Sequence, residues 1–191
     1  CVALNGVPAK YFGTYSLTDP RRPPFTISDG RYMFIPHHLA HAASAYRVSG
    51  MDDAFVFTVD GRGERETAAF FEARDGRLHR VFDILVGADS LIGGVYEFIT
   101  TILGFGHYGQ GSTMGLAPLG EATIDMRAFL SAKSADDFEI HDAGIMEAFG
   151  HYARTRNGPL EQEHLDLAAS VQEALEETVI ALIRSGLEGR P

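Results

Sequence analysis

The residues best suited to chemistry in this chain are three histidines in the stretch "IPHHLAHAASAY", residues 35–46. His37 and His41 are four residues apart, so on a helix they share one face and lie one turn apart. That spacing lets two imidazoles reach a single metal ion. His38 points about 100° away from that face, which predicts a neighbour on the side of the helix rather than a ligand. The alternative is a surface helix that carries three solvated histidines.

A second candidate is the turn "VDGRGERET", residues 59–67, where an apolar run ends in Asp60. Gly61 and Gly63 allow the backbone to turn tightly and to approach a ligand closely. Successive N–H groups in such a turn can bind an anion. Asp60 could orient a metal directly or hold a water beside it. An ordinary hairpin turn is the alternative, because Asp-Gly is a common turn pair.

The third candidate is the glycine-rich stretch "GQGSTMGLAPLG", residues 109–120. Its glycine content is unfavourable for a helix or a central strand, which predicts a structured loop. The stretch lacks the Gly-Lys-Ser/Thr of a P-loop and does not follow a strand as a Rossmann motif does. The apolar residues Met114, Leu116 and Leu119 favour a loop shaped around a ligand over a free surface loop.

The elements that position these residues are short strands and helices, which indicates an α/β or α+β unit. Residues 1–31 are rich in turn formers and are predicted to be an irregular entry segment, and residues 121–191 are predicted to be mainly helical. Strands are predicted at 32–35, 54–60, 67–73 and 78–85, the last three antiparallel with a hairpin turn at Asp75-Gly76. Helices are predicted at 37–48, from Ser90 to about Leu103, at 123–133, at 144–155 and, as a long amphipathic helix, from Pro159 to Gly186.

Composition narrows the classes of function. The chain has 191 residues and a net charge of −10, so it would repel a phosphate backbone and is not expected to bind nucleic acid through a basic face. Its apolar runs are short, which excludes a helical membrane span. The lone Cys1 cannot form an intrachain disulfide, which fits a cytoplasmic location. An abrupt start and an end just after a helix suggest a piece of a longer protein.

Five motifs occur in one order: "HHLAHAASAYRVSG", "FTVDGRGERET", "SLIGGVYEFITTILGF", "GSTMGLAPLG" and "HLDLAASVQEALEE". Together they resemble the carbamoyltransferases of the nodulation-protein-U and cephamycin/tobramycin type, over residues 30–185. That family is similar in its large domain to the universal tRNA threonylcarbamoyladenosine proteins, which have an actin-like, ribonuclease-H-like ATPase fold. The resemblance implies that residues 1–191 are a single partial actin-like domain, with the metal and nucleotide motifs in 32–120.

The resemblance also implies an activity. The family moves a carbamoyl group from carbamoyl phosphate, through a carbamoyl-adenylate made with ATP, to a hydroxyl of a small molecule or glycan, such as an antibiotic or a Nod-factor sugar. His37 and His41 would hold a divalent metal, with Fe²⁺ the first expectation and Zn²⁺ or Mn²⁺ open, and the ligand that completes the site would lie outside this chain. Asp60 would be the catalytic residue beside the metal and phosphate. The implied nucleotide-binding residues are Gly61, Gly63, Glu64, Glu97 and Gly115.

One departure from the family pattern is Thr113, which stands where the family usually has Lys before "MGLA". The loss of that positive charge argues against a phosphate contact there. The family's first strand motif and its segment after the long helix are not seen, so the chain is expected to be an internal fragment, inactive alone and weak in metal binding. Its expected partners are the acceptor and the rest of the polypeptide, including an adenylate-forming domain, with a homo-oligomer left open. The alternatives are a threonylcarbamoyl-transfer tRNA-modification relative and a non-catalytic nucleotide- or metal-binding or assembly module of actin-like fold.

Overall fold

The computed structural model describes residues 2–5, 32–61, 66–85 and 91–188, which form short strands and helices. The α+β class predicted from the sequence is confirmed, whereas the actin-like assignment stays a prediction. In chain order the elements are β1 (Val2–Asn5), β2 (Tyr32–Ile35), α1 (His37–Ser49), β3 (Ala54–Val59), β4 (Glu66–Arg74), β5 (Arg77–Leu85), α2 (Ile92–Ile102), α3 (Gln110–Leu116), a 3₁₀ turn (Ala117–Leu119), β6 (Leu130–Ser134), β7 (Asp137–Ile140), α4 (Ile145–Phe149), a 3₁₀ turn (Gly150–Tyr152) and α5 (Gln162–Leu187).

The strands β3, β4 and β5 form a three-stranded sheet with β4 in the middle. Residues 67–71 of β4 are all buried, as expected of a central strand with both faces covered. Asp75 and Gly76 join β4 to β5 with φ angles of 50° and 70°. Two successive positive φ angles are typical of a two-residue hairpin turn whose twist matches the strands. The hairpin predicted at Asp75-Gly76 is therefore confirmed.

The chain divides into two compact units, of which the first holds residues 1–58 and 68–83. Helix α1 and the sheet share its apolar core. Phe70 and Phe71 point to opposite faces of β4, and the Phe70 ring stacks on Phe82 with 4.2 Å between ring centroids. On the other face the core cluster consists of Ala42, Ala69 and Phe71, surrounded by Leu39, Val56 and Leu78.

The second unit holds residues 59–67 and 84–191 and is built on α5, which is 26 residues long. The predicted long helix is thus confirmed, and its buried face contacts α2, α3 and β6. The segment after α3 runs tightly along α5: the Glu121 N–H donates to Asp166 Oδ1 at 2.9 Å, and the Ile124 N–H donates to Ser170 Oγ at 3.0 Å. A Cβ on Gly120 would overlap the α5 backbone, 2.7 Å from the Asp166 nitrogen, so only glycine fits there.

The prediction of a loop at 109–120 is wrong, because the stretch folds as α3 followed by a 3₁₀ turn. Thr113 is completely buried in α3, and its hydroxyl donates to the Thr100 hydroxyl at 3.0 Å. Ala117 is also buried. These tertiary contacts outweigh the low helix propensity of the two glycines in α3, Gly111 and Gly115, a penalty of only about 1 kcal/mol for each.

Two further predictions about secondary structure are wrong. Residues 123–133 do not form a helix, since β6 begins at Leu130 and pairs antiparallel with β7. Leu130 is buried, and β6 packs on α5, so the burial of that strand against a neighbour decides its state. Residues 1–31 are not wholly irregular, because β1 pairs in parallel with β2. Ser90, predicted as a helix cap, lies outside the described residues.

In the part of the chain that the structure describes, every helix is too short or too polar to cross a membrane.

Candidate functional site

The His37–His41 pair lies at the start of α1, which begins directly after Pro36. Pro36 has no N–H to leave unsatisfied, and its carbonyl accepts the first helical hydrogen bond, from the Ala40 N–H at 3.0 Å. The Nε2 atoms of His37 and His41 are 3.0 Å apart, with the two rings nearly perpendicular at 81°. His37 is half-buried and His41 exposed. The structure therefore brings together the two histidines that the four-residue spacing predicted to converge.

His38 is not a residue on the side of the helix, as its position predicted, but is completely buried. Its Nδ1 lies 2.8 Å from Thr58 Oγ1, a hydrogen bond that ties α1 to β3. Sequence reasoning missed this role because it placed the histidine relative to its helix alone. The signal that could have revealed it is Thr58, a hydroxyl inside the apolar strand "AFVFTV".

Asp60 comes directly after β3, and hydrogen bonds hold both its main chain and its side chain. Its N–H donates to the Thr67 carbonyl at 2.9 Å, and its carboxylate accepts the Gly61 N–H at 2.6 Å. The Thr67 hydroxyl in turn accepts the N–H of Ile92, the first residue of α2, at 2.9 Å. The turn is thus anchored to the beginning of α2. Gly63 and Glu64, the other predicted nucleotide contacts of this turn, lie outside the described residues.

Gly61 and Gly93 lie against each other at this anchor. A Cβ on Gly93 would overlap the Gly61 backbone, 2.7 Å from its nitrogen. The close approach expected at Gly61 is thus made with another part of the chain.

Glu97 lies half-buried on α2, where it forms an ion pair with His107. His107 lines a cleft of about 560 Å³ beside the loop that follows α2. Arg154 holds that loop through a hydrogen bond from Nε to the Leu103 carbonyl at 2.8 Å, and its guanidinium lies over the Phe105 ring. The prediction that Glu97 faces a nucleotide stays a prediction, because the contact seen is with His107.

Gly115 lies on the exposed side of α3, where an added Cβ would meet nothing within 4 Å. No packing contact of the described residues therefore requires glycine at this position. Thr113, at the position where the resembled family has Lys, directs its hydroxyl into the protein toward Thr100. That side chain does not present a group to a ligand on the surface.

Comparisons with known proteins place this chain in a family. The family model described as "Carbamoyltransferase N-terminus" matches residues 25–190. The chain is 29% identical to "Nodulation protein NolNO" of Sinorhizobium fredii over 191 residues, which covers 95% of the chain and 25% of that protein. It is 28% identical to "Nodulation protein NolO" of Bradyrhizobium diazoefficiens over 158 residues, covering 78% of the chain and 28% of that protein.

An uncharacterised protein of Synechocystis sp. is 30% identical over 167 residues, covering 78% of the chain and 27% of that protein. The chain thus spans about a quarter of the length of these relatives. Since the family match covers most of the chain, including the histidine motif, Asp60 and both glycine-rich segments, the chain belongs to the carbamoyltransferase N-terminus family.

Proposed function

We propose that this chain is the metal-binding part of an enzyme that transfers a carbamoyl group from carbamoyl phosphate to a hydroxyl of a small molecule or glycan. In this proposal the group travels as a carbamoyl-adenylate made with ATP. Membership of the carbamoyltransferase family supports the reaction class. The observation that carries the metal part is the separation of 3.0 Å between the Nε2 atoms of His37 and His41.

The donor set fits a divalent metal ion. Two imidazole nitrogens that bind one ion at ~2.1 Å, at right angles to each other, are ~3.0 Å apart. His37 and His41 would each supply one imidazole nitrogen to this ion, and the ligand that completes the site is proposed to lie outside this chain. Fe²⁺ is the proposed ion, with Zn²⁺ and Mn²⁺ as alternatives, because a pair of imidazole nitrogens suits Fe²⁺ and Zn²⁺ alike. Such an ion supplies Lewis-acid polarisation of a carbonyl or phosphoryl oxygen.

The chain's own residues hold Asp60, the proposed catalytic residue, in place before any ligand arrives. The Gly61 N–H holds the Asp60 carboxylate, and the Thr67 carbonyl holds the Asp60 main chain. A carboxylate fixed in this way needs little reorganisation when positive charge is bound. We include Gly61, Gly63, Glu64, Glu97 and Gly115 in the proposal as neighbours of the nucleotide.

The proposed partners are the hydroxyl acceptor and the rest of the polypeptide, including an adenylate-forming domain. Nucleic acid and membranes are not among them, and the proposal is compatible with a homo-oligomer. A cytoplasmic location is part of the same proposal.

The test combines metal content with turnover. Full-length protein with ATP, carbamoyl phosphate and a panel of hydroxyl acceptors is expected to release AMP only when carbamoyl phosphate is present. The double variant His37→Ala/His41→Ala should lose its bound metal by elemental analysis and lose turnover. The matched control is His79→Ala/His151→Ala, which removes two exposed histidines outside the motif. This control should keep its bound metal and its turnover.

Metal content that is unchanged in His37→Ala/His41→Ala would contradict the ligand assignment. Absence of carbamoyl-dependent AMP release with every acceptor would contradict the reaction.

A further inference from the structure

His38 makes a hydrogen bond whose direction can be worked out from its neighbours. Thr58 Oγ1 lies 2.8 Å from His38 Nδ1 and 3.2 Å from the carbonyl oxygen of Ala69. A carbonyl oxygen can only accept, so the single hydroxyl hydrogen of Thr58 goes to Ala69. Nδ1 of His38 must then donate its own hydrogen to Thr58. Nδ1 of the His38 ring therefore carries a hydrogen.

We propose that His38 is a positioning residue for the ligand pair His37 and His41, acting through its Nδ1–H bond to Thr58. The inference rests on the proposed metal site. His38 is next to His37 and three residues before His41, with ring centroids 5.6 Å and 6.5 Å away respectively. His38 thus lies in the same helical turn as both proposed ligands, so its buried hydrogen bond restrains the turn that carries them.

The His38–Thr58 hydrogen bond fixes the rotation and position of α1 on the sheet, which the apolar contacts of α1 cannot do. Leu39 and Ala42 pack against the sheet, which keeps the helix in place. Apolar burial is non-directional, however, so it leaves rotation and sliding of the helix weakly determined. A buried hydrogen bond is directional, and breaking it leaves an unsatisfied polar group in the core. The His38–Thr58 bond therefore sets the register of α1 along β3.

Four substitutions test the proposal. His38→Asn keeps an N–H donor close to the position of Nδ1, whereas His38→Gln places it one bond further out. Thr58→Ser keeps the hydroxyl, whereas Thr58→Val removes it with little change of shape. The probe is Co²⁺ added to the metal-free protein, with its visible absorption reporting the ligand geometry. Thermal unfolding is followed for every variant.

Loss of a residue that orients metal ligands costs about 10–100-fold in metal affinity, so His38→Gln and Thr58→Val should weaken Co²⁺ binding by that factor and alter its spectrum. His38→Asn and Thr58→Ser should keep both the affinity and the spectrum. If all four variants bind Co²⁺ like the unchanged protein and differ only in melting temperature, His38 is structural and the proposal is overturned.

Failure of the metal site itself is distinguishable from failure of this inference. In the metal-free protein, nitrogen chemical shifts should show His38 protonated on Nδ1, and nuclear Overhauser effects should join the rings of His37 and His41. Thr58→Val should weaken those ring–ring effects. Protonation of His38 on Nε2, or ring–ring effects unchanged by Thr58→Val, would overturn the inference whether or not metal binds.

Discussion

Two glycines predicted to contact a nucleotide differ in what surrounds them. Gly61 lies against Gly93 in a backbone-to-backbone contact at the start of α2, whereas Gly115 lies on α3 with open space where a Cβ would be. The first position needs glycine on steric grounds. The second has no such need among the described residues, so a functional reason for glycine there can be tested without a packing penalty.

Gly93→Ala should destabilise the protein, because its new Cβ overlaps the Gly61 backbone. Overpacking of this kind costs about 1–3 kcal/mol. Gly115→Ala is the matched control and should raise stability by about 1 kcal/mol, since alanine is the better helix former. Urea unfolding measures both. A Gly93→Ala variant as stable as the unchanged protein would contradict the close contact, and weaker ATP binding by the stable Gly115→Ala variant would support a nucleotide contact there.

The helices of the second unit are joined by hydroxyl groups as well as apolar side chains. The Tyr96 hydroxyl on α2 donates to Gln172 Oε1 on α5 at 2.9 Å. Thr100 donates to the Tyr96 carbonyl and accepts from Thr113 of α3. Since buried hydroxyls need partners, this chain of hydrogen bonds specifies how α2, α3 and α5 meet.

The Tyr96 hydroxyl makes stability depend on pH in the alkaline range. Burial raises the pKa of Tyr96 from its ordinary value of 10.0 to about 12, and the charge of Glu176 adds to the rise. The neutral hydroxyl therefore favours the folded state below pH 10, and that contribution is lost as pH rises from about 10 to 12. Tyr96→Phe should unfold at a melting temperature that falls less steeply over this range. Parallel curves for the two proteins would contradict the shifted pKa.

Asp166 makes the stability of the fold depend on pH in the acid range, where stability falls as pH falls. The Glu121 N–H, followed by the Gln162 side chain, donates hydrogen bonds that lower the pKa of the Asp166 carboxyl below its ordinary 3.8. The charged carboxylate thus stabilises the fold above that value, and the contribution is lost as pH falls below it. Asp166→Asn should lose less stability in acid than the unchanged protein. The control Asp136→Asn, at an exposed position, should lose as much stability as the unchanged protein. Equal acid sensitivity of Asp166→Asn and the unchanged protein would contradict this role.

At the scale of the whole chain, the net charge distinguishes two kinds of ligand, polyanions and small anions. The net charge of −10 repels polyanions, yet it leaves small anions able to bind where backbone N–H groups converge. The acidic balance of this chain therefore supports the proposal of small phosphorylated substrates over the alternative of a tRNA substrate.

The protein should not bind tRNA at physiological salt, because like charges repel and few cations are present to displace counterions. Fluorescence anisotropy of labelled tRNA, titrated with protein at low and physiological salt, measures this. Saturable binding that persists at physiological salt would favour the tRNA-modification alternative.

Local patterns in the sequence determined much of the fold. The Asp75-Gly76 hairpin, the strand "AFVFTV" and the helix from Gln162 follow from turn chemistry, from β-branched and aromatic composition and from a period of 3.6 residues, which need no knowledge of distant residues. The convergence of His37 and His41 belongs to the same class, since a four-residue spacing on a helix is enough. Motif order also pointed to the family that residues 25–190 match.

Tertiary structure alone decided the rest. The glycine-rich segment is helical because Thr113 and Ala117 are buried, and residues 130–134 form a strand because they pair with β7 and pack on α5. His38 differs most from its prediction: helical spacing placed it away from the ligand pair, and only the approach of β3 buried it against Thr58. Local spacing determines which side chains share a face, whereas burial depends on what packs against that face, which is set by residues far away in the chain.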